Sequence, residues 1–216
     1  MDAITNSCFS GGCRQCSRLA EFLDQVRGSH PDYFARPVPP FGADDPRLLI
    51  VGLAPGMHGA NRTGRPFTGD FAGILLYRTL HKYGFASAPE SVSAADGLEL
   101  IDCRITNAVK CLPPQNKPEP AEIRQCNAYL ANEIAGLGDG VAILALGTIA
   151  HQSVLRALGL KLKDFPFGHG AVHALPGGAS LYDSYHCSRY NTQTKRLTVE
   201  MFEAVFAQIR HNLPGR

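Results

Sequence analysis

Seven side chains carry most of the reactive potential of this chain: four cysteines, one aspartate, one asparagine and one histidine. Cys13-Arg14-Gln15-Cys16 is a C-x2-C pair, and Cys111 and Cys126 form a second pair with fourteen residues between them. Two thiols separated by two residues are ready to share one metal or cluster, and four soft thiolates suit zinc or an iron–sulfur cluster alike. Pro113, Pro114, Pro118 and Pro120 fall between the members of the wider pair, so a stiff loop holds them. Cys126 also lies three residues after Ile123 on an apolar helical pattern, where a cysteine can serve simply as a small buried hydrophobe. Cys8, Cys103 and Cys187 have no ligand-like spacing and read as such hydrophobes.

The second reactive stretch is Gly52-Leu53-Ala54-Pro55-Gly56-Met57-His58-Gly59-Ala60-Asn61-Arg62-Thr63-Gly64-Arg65-Pro66-Phe67-Thr68-Gly69-Asp70. Its five glycines let backbone N–H groups approach an anion closely, and Arg62 and Arg65 add positive charge before the only acid, Asp70. It is not a nucleoside-triphosphate loop, because Arg65-Pro66 stands where Lys-Ser/Thr is required after the spacing from Gly59 to Gly64. It contains no G-x-G-x-x-G either, so a dinucleotide loop is excluded.

These residues need elements to position them. Residues 30–47 carry five prolines and read as an irregular connection rather than a domain linker. Residues 48–53 form a continuous apolar run suited to a strand buried on both faces, and residues 71–83 repeat apolar positions at helical spacing. Residues 101–109 are strand-like. Residues 120–137 read as a helix with Ile123, Leu130, Ile134 and Leu137 on one face. A second apolar strand at 141–146 precedes a helix at 149–158, short strands surround 171–175 and 180–185, and a last helix spans about 197–209. Alternating strands and helices indicate an α/β sandwich on a mostly parallel sheet. Chemistry in such sheets sits at the carboxyl ends of the strands, which selects the loops at 52–70, 106–118 and 186–196.

Composition narrows the classes further. With 216 residues and 44% hydrophobic residues, one domain with a sizeable core is expected over 1–216. The net charge of +2 does not by itself announce a nucleic acid. No apolar run of about 18 residues could span a membrane, and the first six residues have no secretory pattern. Seven cysteines without an export signal argue against a disulfide framework and for a cytoplasmic protein. With no tryptophan, any stacking must come from the 11 Phe, 7 Tyr or from His.

Taken in order, the motifs resemble the uracil-DNA glycosylase superfamily, most closely its iron–sulfur members of family 5, often called type b. Residues 52–70 follow G-L-x-P-x-x-H-G-x-N-R-T-G-R-x-F-T-G-D almost throughout. Asn107-Ala108-Val109-Lys110-Cys111-Leu112-Pro113-Pro114-Gln115-Asn116-Lys117-Pro118 resembles N-x-V-x-C-x-P-P-x-N-[KR]-x-P, and residues 186–197 resemble the H-x-S-x-x-N-T motif. Leu53 stands where family 4 carries a glutamate, and Cys187 where Pro or Val is more usual. The resemblance implies a three-layer α/β/α sandwich around a short, mostly parallel four-stranded sheet. It also implies a [4Fe–4S] cluster held by Cys13, Cys16, Cys111 and Cys126, with an N-terminal cluster-binding segment.

Residue type and resemblance together assign roles. Breaking an N-glycosidic bond in DNA requires an everted base, a carboxylate near the sugar and donors near the departing base. Asp70 is expected to position water, Asn107 to bind the base edge or that water, His186 to donate to the base carbonyl, and Phe67 to stack on the base. Gly52, Leu53, Ala54, Pro55, Gly56, His58, Asn61, Ser188 and Asn191 complete the expected base-binding set. Blander roles exist: Asp70 can cap the helix at 71, Asn107 can satisfy loop backbone, His186 can be solvated and Phe67 can be core.

Arg62, Arg65, Lys117, Arg189, Tyr190 and Lys195, with Lys110 and Arg196 nearby, are expected to meet DNA. Arg189 and Tyr190 are candidates to wedge into the space an everted nucleotide leaves. The expectation is a monomeric, nucleoid-associated prokaryotic glycosylase. It would excise uracil and other deaminated bases such as hypoxanthine and xanthine, without lyase activity because no motif lysine offers an amine nucleophile. The rival readings are a redox or regulatory iron–sulfur protein and a non-catalytic single-strand-binding module.

Overall fold

A computed structural model describes residues 9–213. Four parallel strands form its centre: β2 (Leu48–Gly52), β3 (Cys103–Asn107), β4 (Ala142–Leu146) and β6 (Ser180–Ser184). Two short antiparallel strands, β1 (Phe41–Gly42) and β5 (Val172–Ala174), close the edges in the order β1-β3-β2-β4-β6-β5. The sheet therefore has six strands rather than four. The unexpected one is β1, whose pairing of Phe41 with Ile105 gives two residues of the proline-rich connection a sheet partner.

Strand alternation divides the core. Leu48, Ile50, Ile105, Leu144 and Tyr182 pack beneath α3 (Phe71–Lys82) and α7 (Val199–Asn212). Leu49, Val51, Ile143, Ala145 and Leu181 face the opposite layer, against α4 (Pro120–Ala135) and α5 (Thr148–Ala157). The three-layer sandwich follows. An additional helix, α1 (Ser17–Ser29), was not legible as an element, although Leu19, Leu23 and Val26 recur at helical spacing. It packs on Val109, Leu112 and Tyr129 as a third apolar cluster, and Arg18 ties it to Glu122 of α4 through hydrogen bonds of 2.8 and 2.7 Å. Glu122 also accepts from the Glu119 N–H, completing a capping box at the start of α4.

Two further short helices lie within the expected loops: α2 (Ala60–Thr63) and α6 (Arg189–Gln193). The carboxyl ends of β2, β3 and β6 thus open onto three loops at one edge of the sheet.

Candidate active site

Those loops enclose a pocket of about 250 Å³ lined by Leu53, Ala54, Gly56, Ala60, Phe67, Asp70, Ala72, Asn107, Asn116, His186 and Ser188. Asp70, Asn107 and His186 therefore share one cavity. Asp70 is the N-cap of α3: its Oδ1 accepts the Gly73 N–H at 2.9 Å. Only one carboxylate oxygen is committed to this cap. The other, Oδ2, lies over Gly56 and Gly59, where a Cβ at Gly59 would come within 2.7 Å of it. Burial raises the Asp70 pKa, and the Gly73 and Ala72 N–H groups oppose that rise. Capping and pocket exposure thus coexist in one side chain.

Asn107 ends β3, paired in register with Gly52 of β2. It is buried and its Oδ1 has no hydrogen-bond partner. Gly52 is what leaves space for it, since a Cβ there would meet Asn107 Oδ1 at 2.4 Å and the Phe67 ring at 2.7 Å. Phe67 itself holds φ 55°, a left-handed conformation that costs a non-glycine residue energy. Its carbonyl fits against α3 only because residue 73 is glycine, where a Cβ would collide at 1.8 Å. The Phe67 ring stacks with His186 at a centroid distance of 5.9 Å and 28° between planes.

Burial pushes the His186 pKa down to about 4, so the ring is neutral at physiological pH and retains one N–H to donate. Its loop is fixed from α6. Ser188 Oγ caps that helix by accepting the Asn191 N–H, and the Asn191 side-chain amide donates to the His186 carbonyl at 2.8 Å. Asn191 is therefore a positioning residue for His186, whereas Ser188 also lines the pocket.

Several expected base-binding residues lie elsewhere. Pro55 is buried outside the lining, and His58 is exposed, with Nδ1 2.8 Å from the Tyr33 hydroxyl. Asn61 is wholly buried and does not line the pocket; its backbone carbonyl accepts the Ala35 N–H at 3.0 Å, and its side-chain amide has no hydrogen-bond partner. Asn116 was missed. It projects into the pocket from a turn where both Gln115 and Asn116 have positive φ, and the Pro-Pro-Gln-Asn order was the available signal.

The basic residues divide in the same way. Arg62, Arg78 and Arg189 line an open groove that shares Asp70 with the pocket, and Arg189 lies 5.1 Å over the Phe71 ring. Tyr190 is 71% exposed, and Lys117 and Lys195 are exposed. Arg65 is not available to DNA. It is buried, bonded to Asp96 at 2.6 Å, to Ser91 and to the Ala94 carbonyl, and lies 4.3 Å over Phe41. Lys110 is likewise buried, bonded to Glu133 at 2.6 Å and to Thr106. Sequence gives the charge of these two side chains but not the distant acids that claim them.

Cys13, Cys16, Cys111 and Cys126 line one cavity between α1, α4 and the loop after β3. The Lys110 N–H donates to Cys126 Sγ at 3.3 Å, and the Tyr129 hydroxyl to Cys13 Sγ at 3.2 Å. Burial raises the Cys111 pKa, and the other three sulfurs raise it further. Burial also lifts Cys126 to about 11 against the opposing Lys110 N–H. Thiols that repel one another's negative charge around a common centre, with N–H and O–H donors on the sulfurs, fit a metal or cluster. Cys103 and Cys187 are buried in the main core, and Cys8 lies outside the described residues.

A mixed sheet whose central parallel strands carry a carboxylate, an amide and a neutral imidazole to one aromatic-walled pocket at their carboxyl ends is the arrangement this α/β fold builds. The family model described as "Uracil DNA glycosylase superfamily" matches residues 39–210, and the chain belongs to that superfamily. Within it, the chain is 47% identical to a "Type-5 uracil-DNA glycosylase" of Thermus thermophilus, over 92% of both proteins. A protein of the same description from Mycobacterium tuberculosis is 46% identical over 92% of this chain and 77% of the relative. One from Pyrobaculum aerophilum is 41% identical over 89% and 85% respectively. The type-5 proteins are its branch of the superfamily.

Proposed function

We propose that this protein is a monofunctional DNA glycosylase that hydrolyses the bond between uracil and deoxyribose in DNA, leaving an abasic site. The observation carrying this reading is the convergence of Asp70, Asn107 and neutral His186 on one pocket beside Phe67. An everted base enters against Phe67, and its edge satisfies the otherwise unpartnered Asn107 Oδ1. As the glycosidic bond lengthens, the free oxygen of Asp70 stabilises positive charge on the sugar and orients water towards it. His186 donates its N–H to the base carbonyl, where negative charge accumulates. No lysine lines the pocket, which supports hydrolysis without lyase chemistry.

Leu53 gives the pocket an apolar wall where a carboxylate would restrict hydrogen-bonding pattern. This supports acceptance of other deaminated bases, hypoxanthine and xanthine among them. Arg62 and Arg189 contact phosphates flanking the everted nucleotide, Tyr190 fills the vacated stack, and the chain acts as a monomer.

The four cysteines hold a [4Fe–4S] cluster. The four thiols come from the segment leading into α1, from α4 and from the loop after β3 and line one cavity, with N–H and O–H donors on Cys126 and Cys13. When bound, the cluster supplies a cross-link between α1, α4 and the loop bearing Asn116.

Incubating the protein with duplexes containing uracil, hypoxanthine, xanthine or only normal bases, followed by alkali, tests the reading. Strand breakage is expected at each deaminated base and at no normal base. Intact uracil duplex at excess protein would overturn the assignment and leave a binding or redox protein. Cleavage confined to uracil would remove only the broader specificity.

A further inference from the structure

On the sheet face opposite α3 and α7, His151 of α5, His173 of β5 and Asp183 of β6 converge away from the base pocket and the thiols. Their ligand atoms all lie within 4.8 Å of one another. His151 Nδ1 is 2.7 Å from Asp183 Oδ1, and His173 Nε2 is 3.4 Å from Asp183 Oδ2. We propose that these three side chains form a binding site for one divalent transition-metal ion of the zinc class, separate from the cysteine centre.

Proton accounting supports the assignment. His151 Nε2 lies 2.9 Å from the Phe165 carbonyl, which only accepts, so Nε2 must carry the hydrogen. In the neutral ring Nδ1 then presents a lone pair to an ionised carboxylate, and two acceptors face each other at 2.7 Å. A positive centre has to lie between them, either a proton or a metal ion. His173 distinguishes the two. Its Nε2 is buried and lacks a hydrogen-bond partner despite its nearness to Asp183, because its direction does not suit a hydrogen bond. One proton at His151 leaves that nitrogen unused, whereas a metal ion uses it as a third ligand.

The surroundings have the second shell that metal-binding histidines use. The outer nitrogen of His151 is fixed by a backbone carbonyl, and the Gly168 N–H donates to Asp183 Oδ2 at 3.4 Å. Phe165 and Phe167 pack edge-on against His173 and His151, which limits water around the centre. His173 lies on the edge strand β5 and is the one member of the trio with a partly exposed side chain. Two nitrogens and a carboxylate suit zinc or cobalt(II), with nitrogen–metal bonds of about 2.0–2.1 Å. The ion would tie α5 to both β5 and β6, three residues before His186, and stabilise the fold without entering the base pocket.

The test compares the full-length protein, with its cysteine centre as purified, against His173→Gln and Asp183→Asn. Each is titrated with CoCl2 or ZnCl2 and followed by metal analysis, visible absorption and thermal melting. One equivalent of Co2+ is expected beyond the metal at the cysteines, with d–d bands but no thiolate charge-transfer band. A hundredfold excess of Zn2+ over Kd is expected to raise the wild-type Tm by about 5 °C or more. Both effects should vanish in the two variants while iron content stays unchanged. If wild type takes up no additional equivalent, or if both folded variants take up as much as wild type, the trio is a proton-linked network and the proposal fails. Because wild type decides the first outcome alone, misfolding of a variant cannot rescue the idea.

Discussion

The pocket pole and the thiol pole are held in shape by opposite means. Around the pocket, backbone packs so closely that glycine is required, at Gly52 beside Asn107 and at Gly73 beside the Phe67 carbonyl, and Phe67 is strained. Around the thiols, α1 is secured by an apolar cluster, a two-bond arginine–carboxylate pair between Arg18 and Glu122, and a capping box. Close approach places reacting groups to a fraction of an ångström, while ion pairs and packing secure a segment that must only stay in place. Damage at the first pole should therefore appear in rate, and damage at the second in stability.

The strongest test of that contrast is Gly52→Ala. Its methyl group must displace Asn107 or Phe67, so uracil excision is expected to fall about 100-fold in kcat for a stability loss of about 1–3 kcal/mol. Steady-state kinetics with thermal melting of the same preparation separates the two effects. With the proposed cluster in place, Cys126→Ser should reverse the pattern, losing iron and lowering Tm by about 10 °C, with kcat per folded molecule near wild type at low temperature. A large kcat loss in folded Cys126→Ser protein would break the comparison by showing that the thiol pole also sets pocket geometry.

The arginines sharpen it. Arg65→Ala strands Asp96, whose carboxyl lies well below its usual range because bonds from Arg65 and three backbone N–H groups outweigh burial. Breaking this buried pair should cost about 3–5 kcal/mol and lower Tm by about 10 °C without altering the salt dependence of DNA binding. Arg62→Ala should do the reverse, leaving Tm in place and reducing the slope of log K against log salt by about 0.9.

The smallest expected effect is in pH. The folded pKa of His186, about 4, lies below its ordinary 6.5, so the unfolded chain binds more protons between those values. Its contribution to stability is complete above pH 6.5 and declines as pH falls towards 4. Excision should likewise pass through pH 6.5 without a break and decline only at lower pH. A kcat/KM profile with a histidine-like step at 6.5 would contradict burial of this ring.

Much of this was legible in the sequence, for identifiable reasons. Uninterrupted apolar runs marked β2 and β4 because both faces of each are covered, and three motifs at strand ends marked the pocket. Pairings set by distant chain were not legible. Phe41 becomes a strand residue only because Ile105 lies beside it, and Arg65 becomes a buried ion only because Asp96 is folded over it. Asn191 illustrates an intermediate case: the motif identified it, but only the fold shows that its side-chain amide donates to the His186 carbonyl.

The most direct test of the catalytic assignment is the single-turnover excision rate of Asp70→Asn on a uracil-containing duplex. Asparagine is also a good N-cap, so α3 and the melting temperature should be preserved while the negative charge at the sugar is lost. A rate about 10²–10⁴-fold below wild type in a protein of unchanged stability is predicted. A rate within threefold of wild type would contradict the role given to Asp70.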